Sequence, residues 1–349
     1  MLFGRTCATI GKEGFRRLIM TPKFLDYSQF DTFMACELKW WERYRQEYQR
    51  EPKTGQNNDA RTLGSLVHEG LDAFRTTGTP TIANASIIKY RPSPECLSEA
   101  TLLLNGYIAT YPTELFTRYY CEEPLRFPLH TQMDGLAKID SYFNIGEPIT
   151  IPTGLGSSFT LEPGWWIHEY KTKAASKDVG KYIGSWRMNM QAAFQMMALE
   201  AMVGERPKGV LVNVLEKAPE YKPVRTCKSC KERSELRDWI PAADGYRCPQ
   251  CDNVQDLDTK DNSKVARVPK YYRIMVQRSM AELERSRIDM VTVAQRMVEI
   301  DAGADPLRRT NSCVDQIWGQ CEYYGPHSEG LSAAQYNGFV KVESLHYVK

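Results

Sequence analysis

Between Arg61 and Phe74 the apolar residues Leu63, Leu66, Val67, Leu71 and Phe74 recur at helical spacing and define one face of an amphipathic helix. His68 lies one turn beyond Gly64 on an adjoining face. Ser98 to Tyr111 and Asn189 to Met202 read as further helices. Glu37 to Gln49 reads as an aromatic, charge-rich helix whose Trp40, Trp41, Tyr44 and Tyr48 are packing residues rather than base-stacking ones. Tyr271 to Ile300 reads as one long helix, charged on one side through Glu282, Glu284, Arg285 and Arg287, and the Gly and Pro of Asp301 to Pro306 end it.

A period of two replaces that of 3.6 elsewhere. In Trp165-Trp166-Ile167-His168-Glu169-Tyr170-Lys171-Thr172, strand alternation sends Glu169 and Lys171 to one side, in line with Trp165 and Ile167. Leu136 to Phe143 reads as a strand with Asp140 near its centre, after a turn-like Met133-Asp134-Gly135. Gly209 to Leu215 reads as a buried strand. Gly146 to Gly164, rich in Gly, Pro, Ser and Thr, is a long hairpin connection between the Asp140 and Glu169 strands. No internal repeat and no low-complexity tract is present.

A carboxylate and an ammonium side by side within an apolar strand suit metal-assisted phosphodiester hydrolysis, in which the acid holds a divalent cation and the ammonium positions water and offsets charge on phosphorus. The same alternation also serves to keep an edge strand soluble. An Asp within a buried strand is costly unless paired or bound to metal, although an Asp on an exposed hairpin has no such cost. A His on a helix is commonly a satisfied core or surface residue.

Taken in order, helix-His, strand-Asp, strand-Glu-x-Lys resembles the PD-(D/E)XK nuclease superfamily, in particular its RecB/AddB-like branch of CRISPR-associated and phage exonucleases. The resemblance rests on Gly64-Ser65-Leu66-Val67-His68, on Ala137-Lys138-Ile139-Asp140 with alanine in the place of a glycine, and on Glu169-Tyr170-Lys171-Thr172. A following helix keeps Gln191 of a Gln-x-x-x-Tyr pattern but holds Gln195 at the tyrosine position. The likeness spans roughly Ser28 to Cys321. It implies that His68, Asp140 and Glu169 bind Mg²⁺ or Mn²⁺ and that Lys171 is the catalytic lysine. It further implies that Gln191, Thr172 and Lys173 lie along the DNA strand; Asp134 is the reserve ligand if the strand register is shifted. Mg²⁺ suits two carboxylates because it keeps several waters of its octahedron, and a histidine softens the site toward Mn²⁺. Lysine is the fitting base because its ammonium shifts pKa readily, once burial and a cation depress it.

Ten cysteines without an apolar leader argue against a secreted disulfide scaffold. Cys227-Lys228-Ser229-Cys230 and Cys248-Pro249-Gln250-Cys251 form two Cys-x-x-Cys knuckles, the pattern of a closed four-thiolate Zn²⁺ ribbon with a structural role. Arg225, Lys228, Lys231, Arg233 and Arg237 of this ribbon either grip phosphates or form a solvated face. In some RecB-like nucleases one cysteine before the core and three after it bind an iron-sulfur cluster. The corresponding residues here are Cys36, Cys313 and Cys321, with His327 where a further cysteine is expected; a Cys₃His cluster, a bound Zn²⁺ and a degenerate site all remain open. Cys7, Cys96 and Cys121 have no partner spacing and read as ordinary thiols.

Hydrophobic content of 42% and charged content of 25% are globular values, and a net charge of +2 requires any basic footprint to be local. No stretch approaches the ~20 apolar residues of a membrane span, and Met1 to Lys12 is too short and polar for a secretory signal, so a cytoplasmic location is expected, that of the host if the chain is viral. The expected fold is α/β: a restriction-endonuclease-like core with a central mixed sheet flanked by helices, plus a small zinc ribbon. Its divisions are 1–223 for the N-terminal helices and nuclease core, 224–256 for the ribbon, and 257–349 for a helical segment packing back on the core. The expected activity is that of a metal-dependent deoxyribonuclease, an exonuclease in recombination, repair or phage DNA processing, with DNA and proteins of such a complex as partners. Two rivals remain, a non-catalytic nucleic-acid binder using the ribbon and a subunit of a larger viral or defence complex docking through its aromatic N-terminal segment.

Overall fold

A ten-residue run with large apolar side chains on both faces is satisfied only inside a sheet covered on both sides, and Gly164–Lys173 takes that place. The computed structural model describes residues 24–51, 59–112, 119–121, 124–175, 178–218, 224–235, 239–256, 268–307 and 321–342. The chain opens with β1 (Phe24–Asp26) and α1 (Tyr27–Ala35), whose N-cap Asp26 accepts the Gln29 N–H at 2.8 Å. After α2 (Glu37–Trp40) come a π-helical turn over Trp41–Arg45 and β2 (Tyr48–Arg50). Helices α3 (Asp59–Thr77), α4 (Pro80–Ile88) and α5 (Pro94–Thr110) follow, the last two beginning on a proline whose missing N–H costs nothing there.

The sheet region comprises β3 (Tyr119–Cys121), β4 (Pro124–His130), β5 (Met133–Lys138), β6 (Ser141–Ile145), β7 (Ile149–Pro152), β8 (Ser158–Leu161) and β9 (Gly164–Lys173). Helices α6 (Val179–Trp186) and α7 (Met190–Val203) then lead to β10 (Gly209–Glu216). The cysteine lobe contains β11 (Val224–Thr226), β12 (Arg233–Glu235), β13 (Ile240–Ala242), β14 (Gly245–Arg247) and β15 (Val254–Gln255). The chain returns through β16 (Lys270–Val276), α8 (Met280–Asp301), α9 (Tyr324–Glu329) and β17 (Phe339–Lys341).

The fold is mixed α/β. Its main sheet has the order β16-β10-β9-β6-β3, with β10 parallel to β9 and the other neighbours antiparallel. Parallel pairing needs a crossover, which α6 and α7 supply. A second sheet, β1-β5-β4, lies beside it. On one face Ile167, Val212 and Val214 pack with Phe194 and Leu199 of α7 and Met297 of α8. On the other, Tyr170, Leu215 and Tyr271 pack with Leu66 of α3 and Leu104 and Tyr107 of α5. α7 is apolar nearly all round and accordingly buried; Asn189 caps its start, and Gly204 at φ 71° ends it.

A buried polar node anchors the α3–α5 layer. Asn213 Oδ1 of β10 accepts from the Tyr107 hydroxyl at 3.0 Å and from Arg273 Nε at 2.9 Å, and the Arg273 guanidinium lies 3.7 Å from the Tyr111 ring centroid. β17 pairs with β2 and Arg45 pairs with Asp301, so the closing segment packs on the opening one.

Several elements differ from the sequence reading. Tyr271–Val276 is strand rather than the start of a helix, because its β-branched and aromatic side chains pair along the whole of β10; α8 begins only at the Ser279/Glu282 capping box. Met133-Asp134-Gly135 is the start of β5 and not a turn. Phe127 on β4 lies across Gly135, where a Cβ would come within 2.1 Å of its ring, so that glycine serves a cross-strand contact. Asp140 lies at the break between β5 and β6 rather than mid-strand. The Gly146–Gly164 connection folds into the β7–β8 hairpin, and the helix from Glu37 stops at Arg45.

Candidate active site and thiolate centre

Alternation along β9 places Glu169 and Lys171 on the face of Ile167, as the sequence pattern requires, while His168 and Tyr170 face the other way. The Lys171 ammonium contacts Glu169 Oε1 directly; the Glu169 side chain is 2% exposed and that of Lys171 31%. Asp140 reaches β9 from the neighbouring strand break, and its Oδ2 accepts the Tyr170 N–H at 2.8 Å. α3 crosses β9 at Gly64, where a Cβ would meet Thr172 Oγ1 at 3.4 Å, and one turn later delivers His68. His68 Nδ1 lies 3.3 Å from Asp140 Oδ1, and its Nε2 lies 3.0 Å from the Tyr170 carbonyl. Asp134 pairs with Phe24 in the second sheet; the aspartate that meets His68 is Asp140.

Both imidazole nitrogens of His68 therefore face acceptors. A neutral ring donates from one nitrogen alone, so this arrangement satisfies His68 as the imidazolium. Burial works against that charge, yet Asp140 outweighs it and lifts the pKa above the ordinary histidine value. Burial likewise opposes the charge on Asp140, but His68, Lys171 and the Tyr170 N–H hold its carboxyl below the usual range. Glu169 moves the other way, pushed up by burial and by the Asp140 charge. Burial disfavours the Lys171 ammonium, but Glu169 and Asp140 prevail and raise its pKa. A base role asks for a lysine pKa lowered by burial and a bound cation; the two carboxylates by themselves raise it.

Glu169 has partners that sequence reasoning missed. Gln195 Nε2 donates to Oε2 at 2.5 Å, and Gln191 Nε2, expected along DNA, donates to Oε1 at 2.7 Å. Their spacing of four on α7 was a usable signal, since such residues share a helix face. Thr172 backs onto Gly64, and Lys173 Nζ pairs with the buried Glu216 Oε2 at 3.0 Å. The Tyr182 and Trp186 rings of α6 lie 4.9 Å from Lys173 Nζ and 5.8 Å from Lys171 Nζ. Two carboxylates and an imidazole are a donor set of the kind that takes Mg²⁺ or Mn²⁺, but among the described residues His68, Asp140 and Glu169 do not converge as a group of metal-type ligands in the way the ribbon cysteines do.

The four ribbon cysteines converge. Cys227, Cys230, Cys248 and Cys251 have all four sulfurs within 4.8 Å of one another, the one such group of metal-type ligands among the described residues. Cys227–Cys251 is 3.6 Å and Cys230–Cys248 3.8 Å, against about 3.8 Å for the edge of a tetrahedron with Zn–S near 2.3 Å. The two knuckles are alike. Lys231 and Asp252, each four residues after a first cysteine, have φ of 63° and 57° and donate their N–H groups to the carbonyls of Cys227 and Cys248. N–H groups of Cys230 and Ser229 draw the Cys227 thiol down to about 6. The Glu232 N–H favours a thiolate at Cys230 too, but burial and the surrounding sulfurs push it up to about 12, so four thiolates need a cation between them. These residues fit Zn²⁺. Among the described residues, Trp239 and Tyr246 are the apolar side chains that pack beside the cysteines. Between 224 and 256 the six basic residues are matched by six acidic ones, so no net charge marks the lobe as a phosphate grip.

Cys36, Cys321 and His327 are buried, but they do not form a group of converging metal-type ligands among the described residues. Cys313, Arg237 and Cys7 lie outside those residues. No described helix is long and apolar enough to cross a membrane.

No protein-family model matches the chain, and no curated protein matches it in sequence. Among solved structures, a protein from Eubacterium rectale provisionally named an exonuclease matches with 12% identity and a TM-score of 0.42, over 86% of this chain and 90% of its own.

Proposed function

We propose that this protein is a metal-dependent deoxyribonuclease on a restriction-endonuclease-like core, with the motif order of the RecB/AddB-like branch of the PD-(D/E)XK superfamily. The reading is carried by one arrangement: His68 pairs with Asp140, Lys171 pairs with Glu169, and the Asp140 charge acts on Glu169, the four coming from a helix, a strand break and a strand. Asp140 and Glu169 would hold the cation, joined by His68 through Nδ1 once that nitrogen gives up its proton, with the Nε2–H fixed on the Tyr170 carbonyl. When bound, Mg²⁺ or Mn²⁺ lowers the pKa of a coordinated water and offsets charge on a phosphoryl group. Lys171, held as an ammonium, stabilises charge developing on the phosphoryl oxygens and orients water by hydrogen bonding. Lys173 and Thr172, with Tyr182 beside them, would line the path of the DNA strand. The activity takes the form of an exonuclease in recombination, repair or phage DNA processing, and the zinc ribbon is structural.

The test is a cleavage assay on single-stranded, duplex and end-blocked DNA over a Mg²⁺, Mn²⁺ and Ca²⁺ series, with Glu169→Ala and Lys171→Ala alongside. Degradation is expected with Mg²⁺ or Mn²⁺ and is lost in both folded variants. Cleavage that ignores the metal, or survives both substitutions, refutes the proposal.

A further inference from the structure

A carboxylate has about four lone-pair positions. On Glu169 three are taken: Gln191 and Lys171 on Oε1, Gln195 on Oε2. The two amides come from one face of α7, which is buried along most of its length, so the helix sets the plane of the carboxylate. Gln195 is 1% exposed, and its Oε1 has no hydrogen-bond partner among the described residues, so Glu169 is the group there that fixes which way the amide points. A carboxylate accepts and never donates, which assigns the nitrogens of both amides to the Glu169 side.

We infer that Gln191 and Gln195 are a paired clamp that orients Glu169 and restricts it to a single oxygen lone pair for a cation. Both are positioning residues, and Gln191 serves the carboxylate rather than the nucleic acid. The inference rests on the proposed metal-dependent site and adds to it a selectivity. Mg²⁺ and Mn²⁺ are content with one oxygen from each carboxylate, whereas Ca²⁺ readily takes both. With both positions on Oε1 taken by Gln191 and Lys171, bidentate binding is disfavoured. Gln191→Met keeps the side-chain length, removes one of those donors and opens a position on Oε1, so that each oxygen has room for the same cation.

The experiment measures binding of Mn²⁺ and of Ca²⁺ alone, by calorimetric titration of the zinc-loaded full chain, for wild type, Gln195→Met and the less buried Gln191→Met. Loss of a group that orients a ligand typically lowers metal affinity by about 10- to 100-fold. We expect Mn²⁺ affinity to fall about tenfold or more in both variants. In Gln191→Met, Ca²⁺ affinity holds or rises, so the Mn²⁺/Ca²⁺ ratio drops. A loss of general packing would lower both ions together and overturns the inference. So does a Gln191→Met variant that raises KM for DNA while its Mn²⁺ affinity stays at the wild-type value. Wild type that binds Mn²⁺ and cleaves DNA while both variants keep its ion ratio refutes the clamp alone. Wild type that binds no Mn²⁺ and cleaves nothing removes the nuclease reading and the clamp with it.

Discussion

Replacing Lys171 by methionine removes the ammonium from Glu169 and keeps most of the side-chain volume. Breaking a fully buried ion pair from one side costs about 3–5 kcal/mol, and an exposed one about 0–1 kcal/mol. Lys171 is 31% exposed and Glu169 retains its two amide donors, which places this change between those limits, at about 1–3 kcal/mol. At about 2 °C per kcal/mol for a chain of this length, the melting temperature in chelator falls by roughly 2–6 °C. A divalent cation should reverse the loss. In the wild type it competes with the ammonium for Glu169; in the variant Glu169 has lost its paired cation, and His68 is the counter-charge left beside Asp140. Mn²⁺ at a hundred times its Kd contributes about 2.7 kcal/mol by mass action, so the Mn²⁺-induced rise in Tm is larger in the variant at equal metal. Cleavage meanwhile falls by about 10²-fold or more, the scale of losing a group that acts on the transition state. Differential scanning fluorimetry with EDTA and with Mn²⁺ reads both effects. A variant as stable as wild type in EDTA, or an equal metal response in the two proteins, refutes the reasoning.

The remaining predictions concern the pH response, the thiolate centre and the sheet. His68 has a folded pKa above its ordinary value, so its pairing with Asp140 contributes stability fully below about 6.5 and loses it as pH rises through the folded value. Denaturant melts of His68→Asn should therefore show their largest deficit near pH 6 and converge on wild type at higher pH; a deficit that grows with pH contradicts this. Cys248→Ser, or chelation of zinc, should remove one Zn²⁺ per chain and expose Trp239, read by metal analysis and tryptophan fluorescence, while the main melting transition of the sheet persists. Gly135→Ala forces the buried Phe127 ring aside and should cost about 1–3 kcal/mol in urea unfolding; a neutral result places that ring elsewhere. Asn213→Leu removes an acceptor from the buried Arg273 guanidinium and should cost about 1.5–3 kcal/mol, with unchanged stability counting against the polar node.

Local chemistry was legible along the chain. The two Cys-x-x-Cys pairs specify a four-thiolate lobe because each knuckle closes through its own backbone, with no distant residue required. The period of two across Trp165–Thr172 determines that Glu169 and Lys171 share a face, since a strand permits no other arrangement. Tyr271–Val276 was misread because a short apolar run suits helix or strand equally, and only pairing with β10 chooses between them. Asp140 was placed mid-strand for a similar reason: the break that aims it at β9 arises where the chain leaves one sheet for another. The tertiary structure alone decided the charge of His68, the raised pKa of Lys171 and the amide pair on Glu169. Each depends on which groups lie within hydrogen-bonding distance after burial has removed water, and that neighbourhood is assembled from segments far apart in the chain.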